Sequence, residues 1–122
     1  MKLEEFYAAL CGDFEDTLAR MCNKRLVERF VLRFLSDETF SSLEKAMSEK
    51  DYKEAFRTAH CLKGTASNLG FTKLYSVADV LTDALRDGKK PEDDALLLSV
   101  KEEYERTMTL LRKFQGADSL TL

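Results

Sequence analysis

The stretch Asp51–Gly70, DYKEAFRTAHCLKGTASNLG, has the features of one complete amphipathic helix. Its apolar side chains recur every three or four residues, which is the spacing of a single helix face. Asp51 is a candidate N-cap with Glu54 three positions later, the spacing of a capping box, and Gly70 is typical of a helix end. The apolar stripe consists of Tyr52, Ala55, Phe56, Ala59, Leu62, Ala66 and Leu69. The pattern therefore predicts a helix over Tyr52–Leu69 that buries one face.

Upstream of this helix, the sequence predicts two short helices and a longer helical region. Glu4–Leu10 is the first, and FEDTLARM is the second, with Asp13 as its N-cap. From about Asn23 to about Ser48, apolar residues again keep a helical spacing. Asp37 in the segment LSDETF is a candidate N-cap at which this region breaks or kinks.

Downstream, two further amphipathic helices are predicted. Thr72 is a candidate N-cap of the first, which runs to about Leu85. Gly88 suits a helix end and Pro91 suits a first helical turn, so the last helix is expected to run from there to about Phe114. Long amphipathic helices joined by short turns are typical of bundles. The expected fold is all-α, an antiparallel up-down four-helix bundle with additional short N-terminal helices.

The composition is that of one globular domain. The chain has 122 residues, of which 44% are hydrophobic and 34% charged, and its net charge is −3. Such a chain can bury a core, and it has neither the basic clusters of a nucleic-acid surface nor an apolar run near the ~20 residues that span a membrane. We expect a single domain over 1–122 with a flexible tail from about 115, and no role for nucleic acid or membrane.

The cysteine and histidine content bears on the redox compartment of the protein and on whether it can hold a zinc ion. We expect no signal peptide, because the first residues are acidic and lack an apolar region. Three cysteines without CxxC spacing then indicate free thiols in a reducing cytoplasm. A single histidine leaves little from which to build a zinc site. We expect a cytoplasmic monomer with no cofactor and no metal.

His60, the only histidine, lies on the predicted helix about 100° from the centre of the apolar stripe. A neutral imidazole can take a phosphoryl group, and the Lys63 ammonium one turn away would stabilise its charge. A glycine inside a helix costs about 1 kcal/mol relative to alanine, and Gly64 faces outward, so it would clear space beside the imidazole. The alternative is that neither residue takes part in chemistry, with His60 a half-buried histidine and Lys63 a solvated lysine. The three residues together suit reversible phosphoryl exchange with a partner.

The string AHCLKGTASNLG resembles the signature of histidine-containing phosphotransfer (HPt) domains, A-H-x-L-K-G-x-x-x-x-L-G. Each specified position of that signature is matched, by Ala59, His60, Leu62, Lys63, Gly64, Leu69 and Gly70. The following segment, LYSVADVLTDALRDG, resembles the next helix of the family. The resemblance implies that His60 is the phosphoacceptor, that Lys63 stabilises the phosphoryl charge and that Gly64 gives a receiver domain access.

The resemblance also implies a phosphoryl carrier and not an enzyme. HPt domains pass phosphoryl groups between receiver-domain aspartates in bacterial phosphorelays, and they neither bind ATP nor phosphorylate themselves. The chain has no GxxxxGK loop, which agrees. The expected role is a free-standing phosphorelay intermediate. It would accept the group on His60 from a receiver aspartate, or from a kinase, and pass it to another receiver aspartate. The expected partners are receiver domains of response regulators or of hybrid histidine kinases.

Several side chains near His60 are candidates for supporting roles. Phe56, Arg57 and Ser67 stand close to His60 on the same side of the helix. Together with the exposed residues of the helix over 72–86, they are expected to form the docking face for the receiver.

Three further positions follow from the resemblance or from the helical wheel. Family members often use a glutamine on the next helix to hold the imidazole, and Thr82, which reaches less far, stands at that position here. Arg86, one turn later, could reach the phosphoryl group or serve as a solvated surface residue. Cys61 is expected to pack against the core.

Two other functions stay open at this point. A non-phosphorylated HPt-like module would dock on a histidine kinase or receiver and inhibit it, although such a binder would not need His60, Lys63 and Gly64 together. An enzyme with His60 as general base would need a second catalytic group, and the sequence offers none at a suitable spacing.

Overall fold

A computed structural model describes the backbone of residues 1–120 and the side chains of residues 1–116. Within this part of the chain every regular element is helical, which confirms the all-α class. The helices are α1 Leu3–Leu10, α2 Phe14–Met21, α3 Lys24–Arg33, α4 Thr39–Ser48, α5 Tyr52–Leu69, α6 Thr72–Ala84 and α7 Ala95–Leu120. Short 3₁₀ turns follow α3 at Phe34–Ser36 and α6 at Arg86–Gly88.

Helices α4, α5, α6 and α7 form a four-helix bundle in which each helix packs against the next. The first and the last of them also meet, through the rings of Phe40 and Tyr104, whose centroids are 4.4 Å apart. An ion pair joins Glu44 and Lys101 on the same two helices, with 3.4 Å between its atoms. Because the later residue of α4 pairs with the earlier residue of α7, these two helices are antiparallel.

The predicted N-terminal helices are present and α1 packs against the bundle. The ring of Phe6 packs against Phe71 and Phe114, and the Tyr7 hydroxyl donates a 2.6 Å hydrogen bond to the carbonyl oxygen of Leu69. The guanidinium of Arg106 on α7 donates to the carbonyl oxygens of Ala9 and Leu10 at the end of α1. α1 is therefore held both by buried aromatic side chains and by hydrogen bonds to two bundle helices.

Two helices begin at the predicted caps. The Asp13 and Asp51 carboxylates accept hydrogen bonds from the backbone of Asp16 and Glu54. At α4 the prediction is displaced by one residue: Asp37 accepts a hydrogen bond from the backbone of Thr39, but Glu38 occupies the N-cap position. The second half of the expected capping box is absent at α5, because the Glu54 carboxylate binds Arg57 instead.

Two other predicted starts are wrong. Phe71 and not Thr72 occupies the N-cap position of α6, since the chain turns so tightly after α5 that Thr72 already begins the helix. Pro91 is buried in the connection before α7. Helix α7 begins at Ala95, whose backbone N–H donates to the Asp93 carboxylate at 2.8 Å, so Asp93 marks the helix start that was assigned to Pro91.

The last helix is longer than predicted. The sequence places its end at about Phe114, but that side chain is buried against Phe6 and α7 continues to Leu120. The tail predicted from about 115 therefore begins inside α7, and its residues 121–122 lie outside the described residues. No helix within residues 1–120 combines the length and the apolar character needed to cross a membrane.

Candidate functional site

Helix α5 is held in place by the packing of its buried face, and this packing sets the position of His60. The helix begins and ends as predicted, with Gly70 in the left-handed conformation at φ 72°. Ala59 and Leu62 on either side of His60 are fully buried, whereas the imidazole itself is exposed. One face of the imidazole lies against Phe56, one turn earlier, with ring centroids 6.1 Å apart and planes 13° apart. The side chain as a whole is exposed, so the imidazole is accessible at the surface of a helix whose opposite face is packed in the core.

Phe56 links His60 to Arg86 on the turn after α6. The guanidinium carbon of Arg86 lies 5.8 Å from the centre of the Phe56 ring, within the range of a cation–π contact. The same guanidinium donates to the Asp83 carboxylate at 2.7 Å, and this hydrogen bond lowers the pKa of Asp83 and raises the pKa of Arg86. Arg86 is thus near the site, but its present partners are Phe56 and Asp83.

Lys63 reaches across from α5 to α6. Its ammonium donates a 3.0 Å hydrogen bond to the Asp79 carboxylate, and the two side chains are 23% and 40% exposed. This hydrogen bond favours the charged ammonium and raises the pKa of Lys63 above its ordinary value. The cation one turn from His60 therefore already has an anionic partner.

Asp79 is the residue of this site that sequence reasoning missed. Lys63 and Asp79 stand eight positions before and after Phe71, at the turn between α5 and α6 (63 to 71, 71 to 79). Phe56 and Arg86 stand fifteen positions before and after the same residue (56 to 71, 71 to 86). This symmetry is that of two antiparallel helices folded about a tight turn. Applied to the sequence, it would have placed an acidic side chain opposite Lys63.

Gly64 lies on the exposed side of α5. A Cβ atom built on it would have no neighbouring heavy atom within 4 Å, and its φ angle is not positive. Neither close packing nor an unusual backbone conformation requires a glycine here. Its effect is to leave open space one turn beyond the imidazole, as the sequence predicts.

The remaining candidates divide into exposed and buried side chains. Arg57 and Ser67 are exposed on α5 as expected, and Arg57 pairs with Glu54 in the preceding turn. Tyr75 and Val80 add exposed apolar surface on α6. All four side chains are therefore accessible at the surface, as a docking role requires.

Two expectations about neighbours of His60 need correction. Thr82 does not serve the imidazole, because it lies on the core side of α6, is 1% exposed and donates its hydroxyl to the carbonyl oxygen of Ala78 at 2.6 Å. Cys61 is an exposed free thiol and does not pack in the core. Two steps of 100° from Ala59 bring Cys61 to the side of α5 opposite the buried stripe.

The site thus combines an exposed imidazole, a neighbouring ammonium that is hydrogen-bonded to Asp79, and open space around the position of an added Cβ at Gly64. Among residues 1–116, no three histidine, cysteine or acidic side chains come together in a way that could hold a metal ion.

Comparison with known proteins gives two matches. A family model described as "Hpt domain" matches residues 26–109, a range that contains all of α4, α5 and α6. The phosphorelay intermediate protein YPD1 of Candida albicans is 40% identical over 52 residues, which are 43% of this chain and 27% of that protein. The match thus spans about a quarter of the curated relative. No solved structure gives a significant match.

Proposed function

Because this chain belongs to the Hpt domain family, we propose that it is a phosphorelay intermediate that carries a phosphoryl group on His60. The donor is a phosphorylated receiver-domain aspartate, or a kinase, and the acceptor is another receiver aspartate. The observation that carries this proposal is the exposed imidazole with a held ammonium one turn away and open space at Gly64. The relative from Candida albicans, named a phosphorelay intermediate, supports the same role.

The transfer step requires only one nucleophile from this chain. A ring nitrogen of neutral His60 attacks the phosphorus of the donor's aspartyl phosphate. The N–P bond forms as the O–P bond breaks, and the leaving carboxylate keeps the electron pair of the broken bond. The proton on the other ring nitrogen stays on the ring or passes to water. Onward transfer is the reverse, with a new receiver carboxylate as nucleophile and the imidazole as leaving group.

Lys63 and Gly64 have distinct parts in this reaction. A phosphoryl group adds up to about two negative charges, and the ammonium of Lys63 lies on the same side of the helix, one turn away. Gly64 keeps the path to phosphorus open for an in-line approach by the receiver. The chain therefore acts as a carrier, and the partner contributes the second reacting group.

The proposed docking face surrounds His60. It consists of Phe56, Arg57, Gly64 and Ser67 on α5, with the exposed residues of α6. Tyr75 and Val80, at 36% and 52% exposure, supply apolar area within this charged surface. A monomer working in the cytoplasm with receiver domains of response regulators or hybrid kinases would use this face for both donor and acceptor.

A transfer experiment with two receiver domains tests the proposal. One receiver carries a labelled aspartyl phosphate, the other is unlabelled, and the protein is added in less than equimolar amount. We expect label to appear on the protein and then on the second receiver, and His60→Gln to abolish both. Binding to a receiver without any movement of label would favour an inhibitory docking module instead.

A further inference from the structure

Two carboxylates of α6 have different cationic partners. Asp79 binds the ammonium of Lys63, and Asp83 binds the guanidinium of Arg86. The cations of Lys63 and Arg86 are thus both paired with carboxylates of α6 before any phosphoryl group arrives. Arg86 is 58% exposed, whereas Lys63 is 23% exposed, so the Lys63–Asp79 pair is the less solvated of the two.

Phosphorylation of His60 places a second anion beside the same ammonium. An ammonium has three N–H donors, and Asp79 takes one of them at 3.0 Å. The phosphoryl oxygens can use the others, but the attraction is then divided between two anions. Asp79 and the phosphoryl group also repel each other, and salt screens this repulsion only partly over distances shorter than about 10 Å.

We propose that Asp79 is a positioning residue that holds Lys63 across the α5–α6 hairpin and limits how strongly this lysine stabilises the phosphohistidine. The inference rests on the proposed function, because it concerns the phosphorylated state of His60. Asp79 exchanges no proton and forms no covalent bond in the reaction. By limiting the stabilisation that Lys63 gives, Asp79 keeps the phosphohistidine stable enough to carry the phosphoryl group but not too stable to transfer it.

Asp79→Asn separates charge from shape, because the amide oxygen still accepts a hydrogen bond from Lys63 while the negative charge is gone. The matched control is Glu44→Gln, which removes one charge from another partly exposed interhelical pair, Glu44–Lys101, between α4 and α7. The wild-type protein and both variants are labelled with phosphoramidate, a small donor that needs no docking. The lifetime of the phosphohistidine and the equilibrium with an unlabelled receiver are then measured.

We expect Asp79→Asn to lengthen the phosphohistidine lifetime about two- to fivefold, the range of partly exposed charge pairs. The equilibrium with the receiver should shift toward the phosphohistidine by a similar factor. Both effects should diminish in high salt. Glu44→Gln should behave as wild type. A third variant, Asp79→Glu, labelled in the same way, should keep the wild-type lifetime because it retains the negative charge.

Three results would overturn the inference, and circular dichroism of each variant identifies any that fails to fold. An unchanged lifetime in folded Asp79→Asn would show that the carboxylate has no influence on the phosphoryl group. A shortened lifetime would show that Asp79 only orients Lys63. Absence of an acid-labile label on wild-type protein would overturn the proposed function itself, whereas either of the first two results leaves that function intact.

Discussion

The imidazole of His60 is exposed, although its neighbour Ala59 is fully buried. The ring of Phe56 stacks on the imidazole from the preceding turn. Such a side chain contributes little to the core, so its chemistry and the stability of the fold can be altered separately.

His60→Gln should therefore remove phosphorylation without unfolding the protein. The label on wild-type protein should be lost in acid and kept in base, as expected of a phosphoramidate. The free energy of unfolding should change by less than about 0.5 kcal/mol, the range for exposed substitutions. Phosphate analysis and chemical denaturation of both proteins measure the two quantities. An acid-stable label, or labelling that persists in the variant, would contradict the assignment.

Lys63→Ala should slow phosphoryl transfer or shorten the phosphohistidine lifetime with little change in stability. The ammonium stabilises charge that develops at the site, and this matters more to the reaction than a partly exposed ion pair matters to folding. Transfer rates from a phosphorylated receiver measure the effect, with exposed Lys45→Ala as control. Equal rates in all three proteins would mean that Lys63 takes no part.

At the residue scale, the sequence predicted the site residues that share one helix and missed those brought together by the packing of two helices. His60, Lys63 and Gly64 are neighbours on α5, so their spacing alone places them on one surface. Asp79 becomes part of the site only when α6 folds back on α5. Thr82 was assigned by its position in the family pattern, but burial of that face of α6 determines its hydrogen bond.

The helix α5 carries a glycine that its own stability does not require. Because nothing lies within 4 Å of the position of an added Cβ, Gly64→Ala should stabilise the protein by up to about 1 kcal/mol through better helix propensity. Thermal or chemical denaturation measures this change. A loss of stability would show that the glycine serves packing after all.

Gly64→Gln tests the role of the open space. The longer side chain should obstruct a receiver while leaving the imidazole untouched, so phosphoramidate should still label His60 and a phosphorylated receiver should not. Loss of labelling from both donors would mean that the substitution damages the site. Normal transfer from a receiver would mean that Gly64 has another purpose.

Helix boundaries were predictable where a single residue signals them. Asp51 and Gly70 bound α5 at the predicted residues because a carboxylate caps its first turn and a positive φ ends it. The start of α7 was not predictable in this way, since Pro91 and three acidic residues all resemble a first turn. Burial of Pro91 in the connection decides in favour of Ala95.

At the scale of the whole molecule, Tyr7 joins α1 to the end of α5. Its side chain is 1% exposed and its hydroxyl donates to the Leu69 carbonyl oxygen. Tyr7→Phe should destabilise the protein by about 1–2 kcal/mol, because a buried hydrogen bond is lost and an acceptor is left without its donor. Exposed Tyr75→Phe is the matched control and should have no effect. Chemical denaturation at neutral pH measures both.

The same tyrosine should affect the alkaline limit of stability. Burial raises the pKa of Tyr7 above its ordinary value of 10.0, so folding favours the neutral phenol. The contribution of the neutral Tyr7 phenol to the free energy of unfolding is present in full below pH 10. It is lost as the pH rises further, because the tyrosine ionises more readily in the unfolded chain than in the folded protein. The stability difference between wild type and Tyr7→Phe should therefore narrow above pH 10. A constant difference would show that the phenol does not titrate differently in the two states.

The mirror arrangement of α5 and α6 about Phe71 has a consequence for how this chain can change in length over evolution. One residue inserted between Lys63 and Asp79 would rotate the carboxylate about 100° around α6 and separate the pair. The segment over 89–94 lies outside the interval between the two residues, so a change in its length does not alter their spacing along the chain. Homologous sequences that keep this ion pair should hold the interval from His60 to the acidic residue constant, while insertions and deletions accumulate before α7. An ordinary multiple alignment would show whether gaps respect that interval.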